Sequence, residues 1–236
     1  MTSNFVLVAF LESDPSIMKL FSLLPLWTAV VSLFTSSATQ AADETKQAKP
    51  ESPKMETATL GGGCFWCIEA TLERVKGVEK VVSGYTGGKI KNPTYEQICT
   101  GLTGHAEVVQ ITFDPKVVTF ESLLKLFFEL HDPTTLNAQW PDTGTQYRSA
   151  VFFHDDAQKT TAEKVIKEVN ESKKHKNPVV TEVTKLDVFY PAEDYHQNYF
   201  DEHMEAGTGN YRYLCNVVAP KVEKLKKLGV ELKEKK

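Results

Sequence analysis

The chain has 236 residues, 41% hydrophobic and 25% charged, and its 27 basic and 31 acidic side chains leave a net charge of −4. That is ordinary globular composition, which excludes the biased make-up of fibrous or disordered chains. Outside a Lys-rich C-terminus no long basic face is present, which argues against nucleic acid as a partner.

The first 54 residues stand apart from the rest. Lys19 precedes an uncharged run, Leu20–Phe34, which is interrupted by Pro25 and followed by small and polar residues through Ala41 and Ala42. An export signal needs such a basic start, short apolar middle and small-residue exit. The run is shorter than the about 17–25 residues that cross a bilayer, though an uncleaved anchor is the competing reading. Glu12 and Asp14 suit the start of a signal poorly, so initiation at Met18 is expected. The expected organisation is a signal peptide over 1–41, cleaved near Ala41, a polar linker over 42–54, and one folded domain over 55–236. A periplasmic or other extracytoplasmic monomer follows, with no stable membrane association once the signal is removed.

The folded part opens with a strand at Thr57–Leu60 and three glycines, Gly61 to Gly63. Phe65, Ile68, Leu72 and Val75 then recur at helical steps, and Gly77 is a good helix stop. A strand is expected over Val78–Gly84, followed by a turn-rich loop through Tyr95. Ala106–Phe113 alternates as a strand and ends at Asp114-Pro115, and Phe120–Leu130 is helical with Leu123, Leu124, Phe127 and Phe128 inward. Residues Asp132–Tyr147 read as a long irregular loop, the kind that often carries function. Beyond it lie a strand at Arg148–Phe153, a surface helix at Ala157–Lys174, a strand at Val179–Val188 and a helix at Glu193–Met204. The tail from Lys221 spaces Val222, Leu225 and Leu228 as a solvated helix. Interspersed strands and helices predict an α/β (α+β) two-layer sandwich, a mixed sheet with flanking helices in a single domain.

The chemistry concentrates at Gly63–Cys67. Cys64 is expected at a helix N-terminus, where free backbone N–H groups and the helix dipole favour negative charge. A thiol there should ionise more readily, and the thiolate is the reactive form. Trp66, off the apolar stripe, would line a pocket for an apolar group carrying one polar atom. Against this stands a buried structural cysteine beside ordinary core aromatics. The remaining cysteines are Cys67, Cys99 and Cys215; four in all are few for stapling a chain that can already bury a core. Cys99 and Cys215 have no close partner and His196 and His203 are seven apart, so no metal site is expected.

Seven motifs make the pattern specific. Gly-Gly-Cys-Phe-Trp-Cys (62–67), Gly-Tyr-Thr-Gly-Gly (84–88), Asn-Pro-Thr-Tyr (92–95), Thr-Gly-His-Ala-Glu (103–107), His-Asp-Pro-Thr (131–134), Gly-Thr-Gln-Tyr-Arg-Ser (144–149) and Ala-Glu-Asp-Tyr-His-Gln-Asn-Tyr (192–199) occur in order. The chain thereby resembles peptide-methionine (S)-S-oxide reductase, the A-type methionine sulfoxide reductases, over about Thr57–Lys227. The resemblance implies Cys64 as nucleophile and Phe65 and Trp66 as a hydrophobic pocket. It places Tyr85, Glu107 and Tyr147 on the sulfoxide oxygen with Asp142 beside them, Tyr199 as a further pocket tyrosine, and Cys215 as the resolving cysteine. Cys67 stays open as an alternative resolver, and Cys99 is read as a buried structural thiol. Trp140-Pro141-Asp142 departs from the family's usual glycine, so a bulkier pocket rim is expected.

The implied reaction reduces methionine-S-sulfoxide in oxidised proteins, with the free amino acid open as a second substrate, through a Cys64 sulfenic acid that condenses to a disulfide. Glu107, made acidic in role by burial, would protonate the oxygen. No metal or organic cofactor is implied; an external dithiol such as thioredoxin would restore the thiols. A thioredoxin-like disulfide exchanger working through Cys64 and Cys67 and a disulfide-stapled scaffold are the rival readings.

Overall fold

A computed structural model describes residues 54–234; the expected signal peptide and all but the last residue of the expected linker lie outside the described residues. Strand β1 (Glu56–Gly62) runs at the middle of the sheet and leads into helix α1 (Phe65–Leu72). Next come β2 (Val78–Thr86), the short helix α2 (Tyr95–Cys99), β3 (Ala106–Phe113) and α3 (Phe120–Leu130). A two-residue hairpin, β4 (Ala138–Gln139) and β5 (Asp142–Thr143), precedes β6 (Ser149–Phe153), α4 (Asp156–Glu171), β7 (Glu182–Lys185) and β8 (Tyr190–Pro191). The C-terminal part is α5 (Tyr199–Ala206), α6 (Tyr211–Tyr213), a π-helical turn at Leu214–Val218 and α7 (Ala219–Lys227).

The sheet order is β7-β6-β1-β3-β2-β8, with β6 and β7 parallel and the other pairs antiparallel. Period-two alternation sorts its side chains. Leu60, Tyr85, Val109, Ile111 and Val151 join the large core under α1, α3, α4 and α7. Ala106, Val108, Ala150 and Phe152 form a smaller cluster on the other face, covered by Leu186 and Phe189. Glu107 therefore points, with Val109, to the helical face. The predicted mixed sheet with flanking helices in a single domain is what the described residues form.

Several boundaries differ from expectation, each for a tertiary reason. Helix α1 stops at Leu72, and Val75 instead bridges to Leu232, with Gly77 turning the chain at φ +90. The helix expected over Glu193–Met204 is interrupted. A 3-10 turn at Asp194–His196 precedes Asn198 at φ 50, because the Gln197 side chain is taken up by the backbone N–H and carbonyl of Ser83. The strand expected over Val179–Val188 shortens to β7, since the N–H of Val180 turns to the carbonyl of Pro133. Cys99 is exposed rather than buried: Ile98 takes the core position at the end of α2 and turns its neighbour outward.

Candidate active site

Glycines shape the approach to the first thiol. A Cβ on Gly62 would stand 2.6 Å from the Phe127 ring, and Gly63, at φ +95, holds the side chain of Gln139 where its own would be. Only glycine fits both the left-handed turn and the close contact. Cys64 is the N-cap of α1 and is buried, as is Cys67 one turn on.

The expected activation of Cys64 by the helix N-terminus is not what the geometry delivers. The first free N–H of α1, on Phe65, donates to Oε2 of Glu107 at 3.1 Å, and the Cys64 side chain caps no N–H. Burial raises the Cys64 thiol well above its ordinary value, its shared hydrogen bond with Cys67 and the charge of Glu107 add to this, and Tyr213 partly opposes it. The pair titrates together. Accepting the Cys64 hydrogen bond brings the Cys67 thiol down to about 7, with help from the Lys221 charge. Together the two sulfurs hold one readily lost proton.

Glu107, from the middle of the sheet, is only 2% exposed. Burial pushes its carboxyl up to about 8, assisted by the negative charge of Asp142 and only partly offset by the Phe65 N–H. It is therefore a neutral acid at pH 7. Tyr147, on the 3-10 turn Thr145–Tyr147, lies in the field of both Glu107 and Cys64, and burial raises its hydroxyl above the ordinary range. Arg148 fixes this turn to the start of β3 by donating to the carbonyls of Thr145 and Gly104, and it pairs with Glu182 at 3.0 Å.

The predicted aromatic pocket assembles. Phe65 is buried and touches the rings of Tyr85 and His196, while Trp66 stacks on Tyr199 at 3.8 Å with their planes 5° apart. Tyr85 faces Glu107 across the β2–β3 register, but its hydroxyl donates to Glu193 at 3.0 Å. Asp142 accepts from the hydroxyl of Tyr213 at 2.5 Å. Cys215 is brought to the neighbourhood of α1 on the π-helical turn, and its sulfur shares a hydrogen bond with the hydroxyl of Tyr211.

Sequence reasoning missed Tyr213, Glu193 and Glu69. Tyr213 joins Trp66, Asp142 and both sulfurs of the pair; its place two residues before Cys215 was the available signal. Glu193 receives the N–H of Tyr95 as well as the hydroxyl of Tyr85. Glu69 is buried on α1 and interacts with the backbone N–H groups of Asn198 and Tyr199, behind the ring that stacks on Trp66.

Two thiols that can give up a pair of electrons as a disulfide, with a protonated carboxyl beside them, make this the site of a thiol-based oxidoreductase. Its relatives agree. Residues 56–228 match the model of the peptide methionine sulfoxide reductase family, to which the chain therefore belongs. The peptide methionine sulfoxide reductase of Polynucleobacter asymbioticus is 54% identical over 174 residues, covering 74% of this chain and 89% of the relative. That of Sulfolobus acidocaldarius is 56% identical over 173 residues, covering 73% and 94%. Among solved structures, reduced Mxr1 from Saccharomyces cerevisiae matches with TM-score 0.59 and 36% identity, covering 66% of this chain and 90% of that one. Methionine sulfoxide reductase A of Corynebacterium diphtheriae matches with TM-score 0.57 and 35% identity, covering 64% and 76%. The chain is an enzyme that reduces methionine sulfoxide to methionine with thiols.

Proposed function

We propose that the site reduces the S epimer of methionine sulfoxide in oxidised proteins, by attack of Cys64 on sulfur while Glu107 protonates the departing oxygen. The observation that carries this is the meeting of a buried, neutral carboxyl with a hydrogen-bonded thiol pair. Trp66, Phe65 and Tyr199, with Tyr213, form the aromatic wall for the S-methyl group, and Tyr147 donates to the oxygen beside Glu107. Oxygen passes to Cys64, which becomes a sulfenic acid as methionine leaves. Cys67 then attacks that sulfur, giving a Cys64–Cys67 disulfide and one water.

The shared sulfur–sulfur hydrogen bond favours Cys67 as the first resolver. Cys215, turned to Tyr211, serves as the later acceptor, by thiol–disulfide exchange along α1. An external thioredoxin-like dithiol returns two protons and two electrons, restoring the thiols as it becomes a disulfide itself. We further propose that residues 1–41 export the enzyme and are cleaved near Ala41. The chain then works as a monomer outside the cytoplasm, where oxidised proteins are its partners. The apolar run behind Lys19 supports this.

The test is a single-turnover assay on both sulfoxide epimers with each Cys→Ser variant. Cys64→Ser should release no methionine. Cys67→Ser should release about one per enzyme and leave a sulfenic acid that dimedone traps, because the nucleophile acts before the resolver. Equal turnover of both epimers, or methionine release by Cys64→Ser, would overturn the reading. Amino-terminal sequencing of the secreted protein checks the export claim, which retention of residue 1 would end.

A further inference from the structure

A single apolar side chain in water is ordinary, but several of them on the segments that build one site are informative. Among the described residues eight are exposed, and five of them, Leu102, Leu136, Trp140, Tyr195 and Tyr211, stand on segments that also hold the site. Leu102 follows Gly101, whose carbonyl accepts from Thr145 on the turn carrying Tyr147. Tyr195 contacts the ring of His196, which packs on Phe65 and Trp66, and Tyr211 is two residues from Tyr213.

Trp140 is the largest of these and is 79% exposed. It sits at the tip of the β4–β5 hairpin, and both flanks of that tip are tied to the site. On one side Gln139 packs against Gly63 and bonds the backbone of Asp132; on the other Asp142 accepts from Tyr213. The hairpin that carries the indole is thus anchored on both sides to residues of the site. A free methionine sulfoxide brings no neighbouring residues to this hairpin. A methionine sulfoxide within a polypeptide carries its neighbours close to the residues around the site.

We propose that Trp140, with Leu102 and Tyr211 on the neighbouring site-bearing segments, is a docking surface for apolar or aromatic side chains next to the oxidised methionine in an extended polypeptide substrate. The inference rests on the reading of the site as a reductase of peptide methionine sulfoxide. It makes the enzyme selective for segments that are buried in folded proteins and become reachable when those proteins open. Apolar side chains gain by leaving water against the indole, and a rigid aromatic offers that area at little cost in ordering. Glycine neighbours gain nothing from it.

The experiment compares two blocked pentapeptides, one with Phe and one with Gly on each side of the methionine sulfoxide, using dithiothreitol as donor so that no protein reductant is involved. The full chain should show a kcat/KM about tenfold higher for the Phe-flanked peptide, a ratio of the size expected when one aromatic contact is made. Trp140→Ala should abolish that preference through KM, leaving kcat and the Gly-flanked peptide unchanged, and Trp140→Phe should restore most of it. A Trp140→Ala variant that slows both peptides equally would mean that the indole only supports the hairpin. Unchanged peptide selectivity, together with a raised KM for a thioredoxin-like donor when that donor replaces dithiothreitol in a second assay, would assign the surface to the reductant instead. Either result overturns the proposal. Failure of the unmodified chain to reduce the Gly-flanked peptide would instead sink the assignment of the site itself.

Discussion

Replacing Glu107 by Gln tests the acid role most directly, since it preserves shape and can still accept the Phe65 N–H while removing the proton. With its carboxyl pushed to about 8, Glu107 is about 90% protonated at pH 7, whereas an ordinary carboxyl near 4.5 would be well under 1% protonated. A positioned general acid is worth about 10²–10⁴ in rate, or about 3–5 kcal/mol of barrier. The Gln amide can still donate a weak hydrogen bond to the oxygen, so the expected loss is near the lower end, about 10²-fold in the rate of methionine release. Rapid-quench single turnover isolates that step from resolution and recycling. The pH profile carries a second signature. The thiol pair loses its first proton near 7 and Glu107 loses its own near 8, so the rate should rise through the first and fall above the second. In Glu107→Gln the alkaline fall should vanish while the acid rise remains. If the variant kept that fall, or lost less than about threefold at pH 7, the proton would come from elsewhere and Glu107 would not be the acid.

Three further substitutions follow. Glu69 is buried and its carboxyl is raised by burial to about 8, so the folded state binds more protons than the unfolded one between about 4.5 and 8. Stability should therefore fall as pH rises through that window, by up to about 1.4 kcal/mol per pH unit, and urea titrations should show Glu69→Gln to be more stable than the parent at pH 9 but not at pH 5. Tyr85→Phe removes the donor to Glu193 and should cost about 1–2 kcal/mol in unfolding free energy while slowing methionine release far less than Glu107→Gln. Arg148→Ala leaves the carbonyls of Thr145 and Gly104 without their donor. It should lower stability by about 2–4 kcal/mol and kcat with it, because Tyr147 and Glu107 hang from the two segments it ties together; calorimetry and steady-state assays read both.

How much of this was legible in the sequence depended on whether the deciding contact was local. β3 and α3 match expectation residue for residue. Alternation is clean up to Asp114-Pro115, and Thr119 caps α3 by accepting the N–H of Ser122. Helix α2 lies in the stretch between the turn-rich loop and β3 to which the sequence reading assigns no element, although Thr94 and Gln97 form a capping box that sequence alone could have flagged. The interruption at Gln197 and Asn198 was out of reach, because the competing bonds come from Ser83, more than a hundred positions away. The same holds for the sign of the Cys64 shift. Local reasoning sees a thiol at a helix start; it does not see the carboxyl of Glu107, 42 residues beyond Phe65, taking the first N–H for itself.

That competition also explains why the site needs both thiols and Tyr213. Burial that keeps Glu107 protonated must, by the same desolvation, resist ionisation of Cys64, so a dry pocket cannot by itself prepare an acid and an anionic nucleophile together. Cys67 and Tyr213 relieve the conflict by giving the sulfur pair hydrogen bonds through which it can carry one negative charge. When sulfur attacks, that charge moves towards the sulfoxide oxygen just as Glu107 yields its proton there. The pocket then never holds more negative charge than it held before the substrate arrived. Attack and protonation are accordingly one coupled event, and lowering the proton affinity of Glu107 alone would slow a nucleophile that it does not touch.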